Sequence, residues 1–176
     1  MRRLVPYLVL LGAVVVLDQA SKAVVVRALE LHSYVPVVDG LLSISHVRNR
    51  GAAFGILSDA SLPYQPLLLA GLSLAALVAI ALYFLRLPAD ARLPRVALAL
   101  VLGGAVGNLI DRVRLGYVVD FVHAFWRDHT WPDFNVADSA ISVGVALLVL
   151  DILRERRGES AERTGIDATP DSGRID

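Results

Sequence analysis

Long apolar runs separated by short polar segments dominate the hydropathy pattern of this chain. One run, residues 66–85, contains no charged residue in its 20 positions. As an α-helix it would measure about 30 Å, which matches the hydrocarbon core of a bilayer. Three other apolar runs are shorter and must draw polar neighbours into the bilayer to cross it; they are residues 4–17, 96–110 and 139–150. The pattern predicts four membrane-spanning helices.

Composition supports the same class of protein. Of the 176 residues, 56% are hydrophobic and 19% are charged, and the mean hydropathy is +0.60. This balance is typical of an integral membrane protein rather than a water-soluble domain. Nothing in the sequence indicates nucleic-acid binding or an organic cofactor. The chain has no cysteine, which excludes both a thiol nucleophile and disulfide bonds.

Arginine residues flank the predicted helices in three groups. These are Arg2 and Arg3, then Arg86, Arg92 and Arg95, and finally Arg154, Arg156 and Arg157. The positive-inside rule places all three groups, and therefore both ends of the chain, in the cytoplasm. The longer connections, residues 27–65 and 113–137, would then lie outside. They also carry arginines, so the bias is moderate.

Three acids, Asp18, Asp111 and Asp138, adjoin the shorter apolar runs. The first and third helices would end at Asp18 and Asp111 and the fourth would begin at Asp138, so all three acids lie at the same face of the membrane, in either orientation. Each has a structural explanation when taken alone: Asp18 ends a signal anchor, for example, and Asp138 completes a helix cap with Asn135. A charged group inside the membrane costs about 2.5 to 3.5 kcal/mol. Three at one depth therefore favour a functional site.

The third predicted helix carries further polar residues towards that site. The segment "GGAVGNLIDR" places small and polar residues on one helix face; they are Gly104, Gly107, Asn108 and Asp111. The spacing of Gly103 and Gly107 allows a neighbouring helix to approach closely. Arg112 follows directly and is a candidate partner for one of the acids, because an unpaired charge there would be costly.

Outside the membrane, the sequence predicts a small β-sheet. Two β-rich runs flank Asp39-Gly40, a dipeptide typical of tight hairpin turns. The segment "GYVVDF", residues 116–121, is also strand-like, and it would fold Asp120 back over the polar layer. The segment "NRGAAFG", residues 49–55, has small residues that permit close backbone approach to a ligand.

Five linked motifs resemble those of the lipoprotein signal peptidases, also called signal peptidase II, in order and in spacing over roughly residues 1–155. They are Asp18-Gln19-x-x-Lys22, Asn49-x-Gly51-Ala52-Ala53-Phe54, Gly103-Gly104-x-x-Gly107-Asn108-x-x-Asp111-Arg112, Val118-Val119-Asp120-Phe121 and Phe134-Asn135-x-Ala137-Asp138-Ser139. The resemblance implies an intramembrane aspartic endopeptidase of the bacterial inner membrane, with four transmembrane helices and a small extracytoplasmic β-sheet. Its active site would lie near the outer leaflet.

The resemblance also implies the substrates and the site residues. The substrates would be diacylglyceryl-modified prolipoproteins, cut before the lipidated cysteine to release the signal peptide. The catalytic pair maps to Asp120 and Asp138. The motif positions that bind substrate or support the site are Asp18, Lys22, Asn49, Gly51, Asn108, Asp111, Arg112 and Asn135.

Aspartate chemistry fits these residues. Two carboxylates a few ångströms apart do not both ionise easily, so they share a proton; one takes a proton from water while the other donates to the peptide carbonyl. Such a site needs no metal and no cofactor. The expected partners are the lipidated substrate and membrane lipid, without nucleic acid, and we expect a monomer.

Three alternatives remain open at the level of sequence. A serine/lysine hydrolase would use Ser139 or Ser21 with Lys22, although a lysine here more often extends to the membrane surface. An ion-coupled transporter would use the layer of acids as a cation site, but internal repeats are lacking. A metal hydrolase would recruit histidines that we interpret as surface loop residues; they are His46, His123 and His129.

The chain divides into a single membrane domain, residues 1–157, and a polar tail, residues 158–176. Acids outnumber arginines in the tail, and large apolar residues are few. We therefore expect the tail to be disordered and cytoplasmic.

Overall fold

The computed structural model of the chain describes residues 4–51 and 64–167, with side chains up to Arg154. Within these residues the backbone forms four long helices, which are α1 Val5–Ala28, α2 Gln65–Arg86, α3 Arg92–Leu115 and α4 Val136–Asp167. Each contains a segment long and apolar enough to cross a bilayer, and in α4 that segment is Val136–Arg154. The prediction of four membrane-spanning helices is confirmed.

The three shorter apolar runs do continue into polar sequence. Helix α1 ends at Ala28, so the prediction that it ends near Asp18 was wrong. Asp18 and Lys22 are one turn apart and form an ion pair, and such i,i+4 pairs support a helix. The apolar residues Val24–Val26 then extend the helix beyond the polar turn. Asp18 is therefore an acid inside a helix rather than at its end.

Helix α3 is the central helix, since it packs against the three others. It has eleven buried residues, compared with four in α1 and three in α2. Glycine allows this close packing. A Cβ atom on Gly104 would collide with the backbone oxygen of Ala137 in α4, and one on Gly107 would lie 2.5 Å from Oδ2 of Asp18 in α1. The predicted close approach at these glycines is confirmed.

The strands form one antiparallel sheet in the order β1-β2-β3-β4. They are β1 Tyr34–Val38, β2 Leu42–Asn49, β3 Val118–Trp126 and β4 His129–Thr130. The hairpin predicted at Asp39-Gly40 is present, and Gly40 has a φ of +75°, a conformation that favours glycine. The segment "GYVVDF" enters β3 and brings Asp120 into the sheet, as predicted.

A β-bulge interrupts the pairing of β2 with β3 beside Asp120. Ile44 pairs with Val122 and Val47 pairs with Asp120, so two residues of β2, Ser45 and His46, lie opposite one residue of β3. An extra residue of this kind bends a strand and re-aims the side chains that follow. The bulge therefore determines on which face of the sheet the side chains at the end of β2, including Asn49, lie.

The backbone of α4 remains helical to Asp167, whereas the sequence predicted a disordered tail from residue 158. No proline occurs between residues 136 and 167, so no residue removes a backbone donor from the helix. Residues 168–176 of the predicted tail lie outside the described part of the chain. The domain boundary at residue 157 stays a prediction.

Candidate active site

All ten residues predicted for the site belong to one continuous chain of hydrogen bonds and ion pairs. They come from α1, β2, α3, β3 and the start of α4, so the fold gathers them from distant parts of the sequence. The residues are Asp18, Lys22, Asn49, Gly51, Asn108, Asp111, Arg112, Asp120, Asn135 and Asp138. The predicted shared polar layer is therefore present.

Asn135 is at the centre of this network and is fully buried. Its Nδ2 donates to Oδ1 of Asp120 at 2.7 Å, and it also lies 3.2 Å from Oδ1 of Asn108 and 3.3 Å from the carbonyl oxygen of Val119. An amide nitrogen carries two hydrogens, so the short contact with Asp120 dominates. Asn135 therefore fixes the position of β3 against the start of α4.

Asp138 and Asn135 cap α4 reciprocally. The backbone N–H of Asp138 donates to Oδ1 of Asn135 at 2.9 Å, and the backbone N–H of Asn135 donates to Oδ2 of Asp138 at 3.2 Å. This is a capping box, in which two otherwise unpaired helix donors are satisfied. Oδ1 of Asp138 accepts a further bond from Nδ2 of Asn108 at 2.8 Å. The cap read from the sequence is confirmed, and the same carboxylate also belongs to the site.

Asp120 is only 2% exposed and is held by two amides. Nδ2 of Asn49 donates to its Oδ2 at 2.9 Å, opposite the bond from Asn135. Burial raises the pKa of Asp120 to about 7, and the nearby charge of Asp138 acts in the same direction. The two amide hydrogen bonds oppose this rise because they stabilise the charged form. Asp120 is thus able to hold a proton near neutral pH.

Lys22 binds two carboxylates from two helices. Its Nζ lies 2.8 Å from Oδ2 of Asp18 and 2.9 Å from Oδ2 of Asp111, and it donates to Oδ1 of Asn108 at 3.0 Å. The residue is 3% exposed, so the interpretation that this lysine extends to the membrane surface was wrong. Nζ of Lys22 is therefore held by two buried carboxylates and not by interfacial water.

The expected pairing of Arg112 with an acid is also corrected. Asp111 pairs with Lys22, while Nη2 of Arg112 donates to the carbonyl oxygen of Gly51 at 3.4 Å. No carboxylate lies within ion-pair distance of Arg112 in residues 4–51 and 64–154. Gly51 in turn donates its N–H to Oδ1 of Asn49 at 2.9 Å. Arg112 therefore connects the end of β2 to α3. Residues 52–55 of the predicted ligand-approach segment lie outside the described residues.

Sequence reasoning did not include Gln19 among the site residues. Its Nε2 lies 3.0 Å from Oδ1 of Asp111, 3.2 Å from Oδ2 of Asp18 and 3.2 Å from the carbonyl oxygen of Gly107. The two carboxylates also accept from backbone donors: the N–H of Ala137 donates to Asp18 at 3.0 Å, and the N–H of Val119 donates to Asp111 at 3.1 Å. The position of Gln19 directly after Asp18 in the first motif was the available signal.

The side chains of the serine/lysine alternative are engaged elsewhere. The hydroxyl of Ser21 donates to the carbonyl oxygen of Asp18, and that of Ser139 donates to the carbonyl oxygen of Asn135, both at 2.9 Å. Nζ of Lys22 is bound by the carboxylates of Asp18 and Asp111, and so it is engaged away from either serine. These contacts count against a serine nucleophile activated by Lys22.

The histidines do not assemble with the acids of the network. His46 is buried, and its Nδ1 lies 3.0 Å from the carbonyl oxygen of Leu29, so its interpretation as a surface residue was wrong. His123 is partly buried and lies 3.2 Å from Asp133. Within the residues that the structure describes, no group of three or more histidine and acidic side chains has the arrangement of a metal site.

A four-helix membrane bundle with buried, amide-bridged carboxylates beneath a small antiparallel sheet defines a class of polytopic membrane enzyme. Two solved bacterial membrane enzymes, both determined by the in meso method, have the same fold. One, at 2.3 Å resolution, gives a TM-score of 0.75 with 28% identity and covers 97% of this chain and 94% of its own. The other, at 1.9 Å resolution, gives a TM-score of 0.72 with 31% identity, covering 84% and 92%.

The chain belongs to the signal peptidase II family, because the model described as Signal peptidase (SPase) II matches residues 10–154. It is 53% identical over 147 residues to the lipoprotein signal peptidase of Geobacter metallireducens, which covers 84% of this chain and 90% of that relative. The corresponding protein of Geobacter sulfurreducens is 53% identical over 151 residues, covering 85% and 91%. Membership in this family makes the chain a membrane-bound peptidase.

Proposed function

We propose that this chain is an aspartic endopeptidase that cuts diacylglyceryl-modified prolipoproteins immediately before the lipidated cysteine. The names of its relatives support the lipoprotein substrate. The observation that carries the aspartic mechanism is the link between Asp120 and Asp138 through Asn135, whose side chain bonds to Asp120 and whose backbone bonds to Asp138. Because both carboxylates bond to one buried residue, this link supports a role for Asp120 and Asp138 as a pair that exchanges protons.

The environments of the two carboxylates support different roles for them. Asp138 accepts hydrogen bonds from Asn108 and from the backbone of Asn135 in the first turn of α4, where a negative charge is favoured. It is the base. Asp120 is the acid, because burial and the charge of Asp138 raise its pKa to about 7. One protonated and one ionised carboxyl group can therefore coexist near neutral pH.

In the first step, Asp138 takes a proton from a water molecule. The oxygen of that water attacks the carbonyl carbon of the scissile peptide bond. Asp120 donates its proton to the carbonyl oxygen, which produces a neutral tetrahedral diol. In the second step, Asp138 returns its proton to the peptide nitrogen, Asp120 takes a proton from one diol hydroxyl, and the C–N bond breaks. Each carboxyl group ends in its starting state, and no metal or cofactor is needed.

The position of the site suits a lipid-anchored substrate. Asp120 comes from the sheet and Asp138 from the first turn of a membrane-spanning helix, so the dyad lies where sheet and bundle meet. A substrate cysteine anchored by diacylglycerol would present its peptide bond near this boundary, at the membrane surface, where water is available. We place the protein in the bacterial inner membrane, with both termini cytoplasmic, the site near the outer leaflet, and membrane lipid as the surrounding partner.

The decisive experiment compares one precursor in two forms, with and without the diacylglyceryl group on its cysteine. Purified protein in lipid should release the signal peptide from the lipidated form and process the unlipidated form poorly. The same assay with Asp120→Asn tests the role of that acid. Asp128→Asn is the matched control, because Asp128 is an exposed acid after the same strand. Equal cleavage of both precursors would contradict the assigned substrate.

Chelation separates this mechanism from the metal alternative. Activity should persist in EDTA, because the proposed proton transfers use only Asp120, Asp138 and water. Loss of activity in EDTA, with recovery on adding zinc, would support a metal hydrolase instead. Ion flux in liposomes without any proteolysis would support the transporter alternative.

A further inference from the structure

Asp133 connects three segments of the extramembrane part through one carboxylate oxygen. The hydroxyl of Ser45, in β2, donates to Oδ1 of Asp133 at 2.6 Å, and Nδ1 of His123, in β3, lies 3.2 Å from the same atom. Ser45 is fully buried, and the side chains of His123 and Asp133 are 21% and 18% exposed. A charge-assisted contact with so little exposure is far less screened than a surface ion pair.

The segment that carries Asp133 leads directly into the active site. Phe134 donates its N–H to the carbonyl oxygen of Val122 at 3.1 Å and accepts bonds from the N–H groups of Phe121 and Val122 at 3.1 and 2.8 Å. Asn135, the residue that bridges the two catalytic carboxylates, follows immediately. The contacts of Asp133 therefore lie two residues along the chain from Asn135, the centre of the network.

Ser45 also occupies the β-bulge of β2. The bulge changes the register between Ile44–Val122 and Val47–Asp120. Without the extra residue, every side chain beyond it on β2 would move to the opposite face of the sheet. Asn49, which holds Oδ2 of Asp120, would then point away from the site. The hydroxyl of Ser45, bonded to Asp133, anchors this bulge from one side, and His46 anchors it through Leu29.

We propose that Ser45, Asp133 and His123 form a clamp that positions Asp120 and Asn49 relative to Asn135 and Asp138. None of the clamp residues bonds to a catalytic carboxylate, so they are positioning residues and not catalytic ones. The clamp fixes three segments against one another: the bulge of β2, the middle of β3, and the chain that enters α4. The inference rests on the proposed dyad of Asp120 and Asp138.

The test measures single-turnover cleavage of a lipidated precursor per folded protein, across a range of pH and substrate concentration. Asp133→Ala and Ser45→Ala should lower the maximal rate by about 10- to 100-fold, the size of effect expected when reacting groups are misplaced by about 1 Å. The KM should change much less, because the clamp is proposed to position the dyad and not to contact the substrate. Loss of activity at high pH should begin at a lower pH, since a displaced Asp120 is better hydrated and loses its proton more easily.

Conservative variants guard against failure to fold. Asp133→Asn retains an oxygen that accepts from Ser45 but removes the charge that attracts His123, so its rate should lie between those of wild type and Asp133→Ala. His123→Gln tests the other arm. The matched controls are Ser43→Ala for the serine, from the same strand as Ser45, Asp128→Asn for the acid and His129→Gln for the histidine. Ser43 is buried in β2, whereas Asp128 and His129 are exposed, and all three should retain wild-type rates.

The outcomes separate the clamp from a general contribution to stability and from the dyad itself. If the clamp variants melt at lower temperature yet keep the wild-type rate and pH profile per folded molecule, the clamp has no positioning role and the inference is wrong. If Asp120→Asn and Asp138→Asn are inactive in that same experiment, the proposed function stands without the clamp. If Asp120→Asn retains turnover, the dyad fails first, and the clamp inference fails with it.

Discussion

Lys22 and Asp111 form an ion pair between α1 and α3, with 2.9 Å between Nζ and Oδ2 and with both side chains almost fully buried. The same ammonium group lies 2.8 Å from Asp18 in its own helix. One cation is therefore shared by two carboxylates at the level of the active site. Lys22 also donates to Oδ1 of Asn108, and Nδ2 of the same Asn108 side chain donates to Asp138.

Removing Lys22 should be more harmful than removing Asp111. Lys22→Met leaves two buried carboxylates without a cation, and breaking a buried pair in this way costs about 3–5 kcal/mol of unfolding free energy. Asp111→Asn leaves the Lys22–Asp18 pair intact, so the folded yield should fall less, with residual turnover. Thermal unfolding in detergent measures the stability of both variants. The control is Arg27→Met, which removes an exposed cation of α1. A Lys22→Met protein as stable as Arg27→Met would show that the buried pair contributes nothing.

Asparagine at either of the proposed catalytic positions should abolish turnover. Asp120→Asn and Asp138→Asn preserve shape but remove proton exchange, so each protein should still insert and bind a substrate-like peptide. The double variant should be hardly slower than either single one, because the two groups act as a unit. Asp138→Asn should also lose about 1 kcal/mol of stability through its weakened helix cap. Single-turnover cleavage per folded protein is the measurement, and substantial activity in either variant would require another dyad.

The rate of cleavage should fall as pH rises through about 7. Asp120 must carry a proton to act as the acid, and burial together with the charge of Asp138 raises its pKa to about 7. Below that pH the proton is present, and above it the proton is progressively lost. The observed midpoint belongs to the coupled pair rather than to Asp120 alone. Single-turnover rates between pH 5 and 9 would test this, and a rate that keeps rising above neutral pH would reverse the assigned roles.

Apolar run length was sufficient to predict the membrane helices but not where they end. The run at residues 66–85 matches α2, Gln65–Arg86, almost residue for residue, because no polar partner was needed to complete it. Helix α1 continues past Asp18 because Lys22, one helical turn further on, pairs with that acid, and Lys22 is in turn paired with Asp111 of α3. A hydropathy pattern does not record such a long-range partner.

Contacts within one local segment were readable from the sequence, and long-range contacts were not. Three residues separate Asn135 from Asp138, which is the spacing of a helix cap, and the cap is present. Asp18 and Lys22 also have helical i,i+4 spacing, so their pair was accessible to the same reasoning. The contact of Ser45 with Asp133 joins residues 88 positions apart. It depends on strand register, which local pattern alone does not determine.

The orientation in the membrane should be visible by chemical labelling. Because the chain has no cysteine, single cysteines report without background. Cysteines at Ser58 and Asp128 should react with an impermeant maleimide from the outer side, and one at Asp90 only after the membrane is permeabilised, as the arginine distribution requires. Labelling of position 90 in intact cells, with protection of the other two, would invert the proposed topology.

Alanine should be tolerated at Gly71 but not at Gly107. A Cβ atom on Gly107 would lie 2.5 Å from Oδ2 and 3.1 Å from Cγ of Asp18, whereas one on Gly71, in α2, would meet nothing within 4 Å. Asp18 is fully buried and held by Lys22 and by the N–H of Ala137, so it has no room to yield. Gly107→Ala should therefore cost about 1–3 kcal/mol by overpacking, in spite of the better helix propensity of alanine. Because Asp18 is part of the network, turnover per folded protein should fall as well. Thermal unfolding and cleavage of both variants form the comparison, and equal behaviour of Gly107→Ala and Gly71→Ala would mean that α1 and α3 adjust without loss.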